Sequence, residues 1–153
     1  MKSIRFYQTA IGRVGIAAMN GAVTDLLFPD EPIPFVWISQ ETDVLNIAGR
    51  QLQDYLSGRI KDFTVPLAPS GSATMLRIWD QILAIPHGQT RSYQAVAAEI
   101  GNAKAARVVG QACKRNPIPI FIPCHRVIGA NGRLTGYRGG LALKIRLLEL
   151  EQH

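Results

Sequence analysis

The run PLAPSGSAT at 66–74 most limits what this chain can fold into. Two prolines and a glycine within nine residues stop a helix or a central strand from passing through, because proline lacks the N–H and glycine adds slack. It is the only linker-like run in 153 residues, so it predicts a boundary between 1–70 and 71–153. The residue patterns on its two sides differ.

Before the boundary the pattern is that of strands. Residues 4–10, 14–19 and 22–28 are apolar or mixed runs. They are separated by Gly12-Arg13 and by Asn20-Gly21, and the second pair is a strong two-residue hairpin signal. Three prolines make 29–40 a predicted loop. Val44, Ile47, Ala48, Leu52 and Leu56 recur at helical spacing, predicting a helix over 44–56 that ends by Gly58. A short extended piece is expected at 63–67.

After the boundary the pattern is helical, so the fold class is α+β. Leu76, Ile78, Trp79, Ile82 and Leu83 predict an amphipathic helix over 74–85, stopped by Pro86-His87-Gly88. Ser92 is a candidate N-cap for a helix over 93–100 closed by Gly101. Asn102 is a candidate cap for another over 103–115, which must stop near Asn116 because Pro117 follows. Two helices so joined suggest a helix-turn-helix. Three prolines in 116–126 bar a central strand and predict an extended, rigid segment. Glycine-rich loops follow, then a helix over 141–151 with Leu143, Leu147 and Leu150 on one face.

The chain is 47% hydrophobic and 18% charged, enough apolar content for a core. No apolar run approaches the ~20 residues of a membrane span, and the first residues do not read as a signal peptide. Two cysteines, Cys113 and Cys124, exclude a disulfide framework and a Cys-rich zinc site, and His87, His125 and His153 lack ligand spacing. The expectation is a cytoplasmic protein with free thiols, no membrane association and no metal or other cofactor. The net charge of +6 is unevenly placed. Residues 1–75 carry six Lys/Arg against seven Asp/Glu, whereas 76–153 carry eleven against four. A basic half on an otherwise neutral chain fits a polyanion partner, although a solvated face gives the same count.

The helix over 103–115 divides into three stripes at 100° per residue. Ala105, Val108, Val109 and Ala112 form an apolar face. Lys104, Arg107, Gln111, Lys114 and Arg115 form a polar, mostly basic one. Ala103, Ala106, Gly110 and Cys113 form a stripe of small residues beside it. Small residues next to cations suit close backbone approach to phosphates or a minor groove more than reading of base edges.

Cys124 is followed by His125 and Arg126. Thiolate is the reactive form of cysteine, so a nucleophilic Cys124 needs a base, and His125 is the nearest. In a regular strand the two side chains would point apart, so coupling requires a turn at Pro123-Cys124 or a bridging water. A carboxylate on the last helix would orient the imidazole; Glu151 and Lys144 share a face there and Glu149 does not. A buried, inert Cys124 is the competing reading, and Cys113 reads as structural.

The string Ile122-Pro123-Cys124-His125-Arg126-Val127-Ile128, with Gly136-Tyr137 and Gly139-Gly140-Leu141 after it, closely resembles the signature of the O6-alkylguanine-DNA alkyltransferases. The match extends upstream through Ile85-Pro86, Gly88, Ser92-Tyr93, the run Ala105-Ala106-Arg107-Val108-Val109-Gly110, and Asn116-Pro117. The resemblance implies a ribonuclease H-like N-terminal sheet domain and a helical, winged-helix-like C-terminal domain that carries the site. It also implies stoichiometric repair. The helix-turn-helix grips the minor groove of double-stranded DNA, O6-alkylguanine is flipped out, and the alkyl group passes irreversibly to the protein. O4-alkylthymine is a second candidate substrate. The resemblance points to a monomer, with cooperative assembly on DNA left open.

Carried over by position, Cys124 resembles the alkyl acceptor, His125 its base acting through water, and Glu151 the carboxylate behind His125. Asn116 matches the residue that ties the active-site turn to the helix-turn-helix, and Lys144 a lysine near the closing loop. Arg107 matches the finger that fills the gap left by the flipped base, with Lys104, Ala106, Gly110, Gln111, Lys114 and Arg115 around it on the DNA side. Tyr93, which is also implied to rotate the 3′ phosphate, would line the base pocket with Val127, Tyr137 and Arg138. Thr74 and Met75 depart from the Phe-Gln pair common in the family, and Arg138 is larger than the residue often found there. The rival readings are a lesion-binding protein without transfer, which the presence of Cys124 argues against, and a turnover cysteine hydrolase.

Overall fold

The computed structural model describes residues 1–102 and 104–152. The chain forms two compact units, Met1–Ser70 and Gly71–His153.

In the first unit β1 (Ser3–Thr9), β2 (Gly12–Met19) and β3 (Ala22–Leu27) form an antiparallel meander. Asn20 and Gly21 turn the second hairpin with φ of 54° and 78°, both left-handed, as the Asn-Gly pair predicts. The strand predicted from 14 starts at Gly12, whose φ of 104° a side-chain-bearing residue adopts only with strain. A two-residue β4 (Ile38–Ser39) lies parallel to β1 inside the predicted loop, giving the sheet order β3-β2-β1-β4. The prolines end at Pro34, so Ile38 N–H is free to reach Lys2 O at 3.0 Å. Helix α1 (Asp43–Leu56), capped by the Thr42 hydroxyl on Leu45 N, packs Leu45, Ala48 and Leu52 onto the sheet.

In the second unit α2 (Ala73–Leu83) starts inside the predicted linker, because the Ser72 side chain accepts from Met75 N. A short β5 (Arg91–Ser92) leads into α3 (Tyr93–Glu99), which Ser92 caps by accepting from Ala95 N. Helix α4 (Ala106–Lys114) follows, and α2, α3 and α4 pack on one another. Trp79 anchors this cluster, donating from Nε1 to Ala112 O at 3.0 Å.

Three expectations are corrected here. Asn102 caps no helix: its side chain accepts from Lys104 N in a local turn, and α4 begins at Ala106 without a side-chain cap. Ala103, assigned by its spacing to this helix and its small-residue stripe, lies outside the described residues, as does His153. Val108, predicted on the apolar face, is 41% exposed, and burial falls on Val109 and Ala112. The segment after Asn116 is not extended throughout. Ile122 N donates to Ile118 O at 2.9 Å, and Ile120 sits at φ 73°, a strained value for a β-branched residue.

A 3-10 turn at Cys124–Arg126 leads into β6 (Val127–Ile128), parallel to β5, and α5 (Leu141–Leu150) closes the chain. The inward stripe of α5 holds Lys144 and Leu147 and continues to Glu151, while Leu143 and Leu150 are half-buried. Two charged residues thus replace the leucines that sequence spacing put there.

Candidate active site

Of the two routes left open for coupling Cys124 to His125, a turn at Pro123-Cys124 is present: Arg126 N donates to Pro123 O at 2.9 Å, and Cys124 N to Ile122 O at 2.8 Å. It leaves Cys124 only 2% exposed. Asn116 builds the floor beneath the sulfur. Its Nδ2 donates to Cys124 Sγ at 3.1 Å and to Ile122 O at 2.9 Å, while its Oδ1 accepts from Ile118 N at 2.9 Å. One buried amide thereby holds both ends of the proline-rich turn.

Glu151 lies at the centre of a buried charge cluster. His125 Nε2 is 2.8 Å from its Oε2, Arg126 donates to both carboxylate oxygens at 2.8 Å, and Gly88 N donates to Oε1 at 3.3 Å. Arg126 also donates to Ile85 O at 2.7 Å. With Nε2 turned to the carboxylate, Nδ1 is the nitrogen of His125 that can receive a proton. Burial, the largest influence on His125, pulls its pKa down against the pull of Glu151, so the resting imidazole is neutral.

Burial also pushes the Cys124 thiol well up, and neighbouring Cys113 adds to this, while the Asn116 amide and the Lys144 ammonium act the other way. The resting sulfur is therefore a neutral thiol rather than a stored thiolate. Lys144 donates to Val127 O at 2.8 Å and to Thr135 O at 3.4 Å. Its ammonium lies 5.8 Å from the Tyr93 ring centre, and burial lowers its pKa.

A cavity of about 640 Å³ opens along α4, lined by Arg107, Gly110, Gln111 and Lys114, with Ala106 beside them and Tyr93, Thr135 and Gly136 facing them. Lys104 and Arg115 are exposed, the first ahead of α4 and the second at its C-cap. Tyr93 lines the cavity, and burial raises the pKa of its hydroxyl. Its hydroxyl shares a 2.6 Å hydrogen bond with Thr135. Tyr137 is held in its neutral form by burial, and Arg138 Nη1 donates to Asn116 O at 2.7 Å.

The structure thus buries Cys124 against Asn116, His125 and Arg126 against Glu151, and Lys144 on Val127 O, and brings Tyr93 and Arg107 onto one cavity. Sequence reasoning missed Arg126, although it adjoins the Cys-His pair. It missed Thr135, for which the sequence carried no signal. Among the described residues no group of three or more His, Cys, Asp or Glu could hold a metal ion, and no helix is long and apolar enough to cross a membrane.

Residues 73–153 match the family model described as 6-O-methylguanine DNA methyltransferase, DNA binding domain. The methylated-DNA–protein-cysteine methyltransferase of Methanosarcina acetivorans is 50% identical over 119 residues, 78% of this chain and 76% of its own length. That of Mycobacterium leprae is 42% identical over 152 residues, 97% of this chain and 92% of its own. The crystal structure of Mycobacterium tuberculosis OGT in complex with DNA matches at a TM-score of 0.92 with 40% identity, covering 98% of this chain and 92% of that one.

Proposed function

The chain belongs to the methylated-DNA–protein-cysteine methyltransferase family, and from that premise we propose that it repairs DNA by moving an alkyl group from the O6 of guanine to its own Cys124. The observation that carries this assignment is the buried Cys124 on one turn with a His125 whose Nε2 lies 2.8 Å from Glu151.

Cys124 Sγ attacks the alkyl carbon, and the carbon–O6 bond breaks with its electron pair on guanine. The thiol proton goes to His125 Nδ1, directly or through a water. Glu151, already oriented by Arg126, stabilises the imidazolium through Nε2. The Tyr93 hydroxyl or a loop N–H donates to the leaving base. Moving the proton only as the new bond forms fits a site that favours neutral thiol and neutral imidazole. The product is a thioether, so each protein molecule acts once.

On the DNA side, α3 and α4 act as the helix-turn-helix and enter the minor groove of double-stranded DNA. Arg107 takes the place of the flipped base, and Lys104, Lys114 and Arg115 meet phosphates. Gln111 is a further groove contact, and Ala106 and Gly110 allow close approach. Tyr93, Val127, Tyr137 and Arg138 form the base pocket. Because Cys124 is buried, the loop over 129–140 must shift for the base to arrive, and the Tyr93–Thr135 bond is the contact it releases. Residues 71–153 form the winged-helix-like reacting domain and 1–70 its ribonuclease H-like support. O6-alkylguanine is the primary substrate, with O4-alkylthymine a second candidate. The protein acts as a cytoplasmic monomer, with its thiols kept reduced.

Mass spectrometry after mixing with O6-methylguanine DNA tests this reading. One methyl group on the peptide holding Cys124, saturating at one per protein, supports it. Bound DNA with unmodified protein favours a lesion binder, and product beyond one equivalent favours a hydrolase.

A further inference from the structure

The loop over 129–140 forms one wall of the cavity along α4, through Thr135 and Gly136. Side chains fasten it to other elements. The Thr135 hydroxyl shares its 2.6 Å hydrogen bond with Tyr93, and the Thr135 carbonyl accepts from Lys144 Nζ at 3.4 Å. Arg138, two residues past Gly136, donates from Nη1 to Asn116 O at 2.7 Å. Asn116 is buried just beyond the end of α4, so its carbonyl depends on a donor from the protein. The same residue donates from Nδ2 to Cys124 Sγ at 3.1 Å. Asn116 therefore stands between the loop's arginine and a buried sulfur.

We propose that Arg138 is a specificity-determining residue: its hydrogen bond to Asn116 O latches the loop and reserves Cys124 for a lesion carried by duplex DNA, against free alkylated bases and small electrophiles. The latch stands on geometry, and its consequence rests on the alkyl-transfer reading.

A guanidinium on a carbonyl is a charge-assisted bond, stronger than one between neutral groups. Because it is made while the loop is shut, it favours the shut state. A reactant that needs the open state meets only the fraction of molecules that are open. A duplex also engages Arg107, Gln111 and Lys114 along α4, and those remote contacts offset the opening. A free base or a small electrophile brings none of them and meets the whole barrier. Selectivity of this kind comes from rejecting the wrong reactant. For an acceptor that acts once, each misdirected alkyl group removes a protein molecule.

Arg138→Met keeps an unbranched stem and removes the guanidinium, whereas Arg138→Lys keeps a charged donor without the planar fork. The full-length proteins are labelled with iodoacetamide in the absence of DNA, and the rate at the Cys124 peptide is read by mass spectrometry. Arg138→Met should label about tenfold faster than the parent, the scale of one charge-assisted hydrogen bond, and Arg138→Lys should fall between them. The rate with free O6-benzylguanine, divided by the rate with a duplex holding the same lesion, should rise by a similar factor in Arg138→Met. A merely structural loss would expose the thiol and leave that ratio unchanged. Labelling no faster than the parent's in either variant, or an unchanged ratio, overturns the proposal. A parent that takes no alkyl group from the duplex defeats the repair reading instead, and labelling then scores the latch alone.

Discussion

Arg126 grips Glu151 through two parallel hydrogen bonds, Nε to Oε1 and Nη2 to Oε2, each 2.8 Å. The planar fork fixes the carboxylate and turns Oε2 toward His125 Nε2. Arg126 therefore positions the His125 imidazole through Glu151. A lysine offers a point charge and no fork. Arg126→Lys should slow transfer and lower stability, whereas Arg126→Leu should cost about 3–5 kcal/mol by leaving Glu151 buried beside an uncharged neighbour. Denaturant unfolding of both variants checks the order.

Glu151→Gln keeps the shape of the cluster and removes its charge, so the imidazolium formed in transfer loses its stabiliser. The single-turnover rate should fall on the order of a hundredfold, the scale of one general base, with DNA affinity unchanged. Rapid-quench transfer beside a binding titration separates the two quantities.

Asn116→Ala strips the side-chain partner from Ile118 N and Cys124 Sγ, while Ile122 O keeps the N–H of Cys124. Each unsatisfied buried group costs about 1–3 kcal/mol, so the melting temperature should fall by several degrees or more. Calorimetry reads this directly, and a melting temperature equal to the parent's would contradict the role given to the amide.

Stability should depend on pH in two windows. The lowered pKa of His125 means that its contribution is complete above its ordinary value of 6.5 and is lost as pH falls through the folded value. The raised pKa of Cys124 means that its contribution is complete below its ordinary 9.0 and is lost as pH rises toward the folded value. Melting curves should show Cys124→Ala resisting alkaline pH better than the parent, and transfer should slow only below the ordinary histidine range.

Arg107→Ala should slow repair of duplex DNA more than reaction with free benzylguanine, because the arginine lines the cavity along α4 and makes no contact with the Cys124 sulfur. Equal losses on both would remove its intrahelical role. Duplex binding should weaken steeply with added salt as phosphate contacts release counterions.

Much of the fold was legible because its signals are local. The Asn20-Gly21 hairpin, the Ser92 cap and the stop imposed by Pro117 each depend on a few adjacent residues and their own backbone chemistry. The order of Cys124, His125 and Glu151 could be carried from the family signature. Val108 was misassigned because helical spacing gives the angle of a face and not which neighbour covers it.

The sequence by itself determined the two-part division, the basic second half and the helix pair, since turn, cap and periodicity rules act within a few residues. Only the tertiary structure decided that Lys144 points inward, that Arg126 holds Glu151, that Thr135 meets Tyr93 and that Asn116 reaches the Cys124 sulfur. Most of those contacts join residues far apart in the chain. A charged or polar side chain enters a core only when a partner from another element is there to meet it, and no local pattern records that partner.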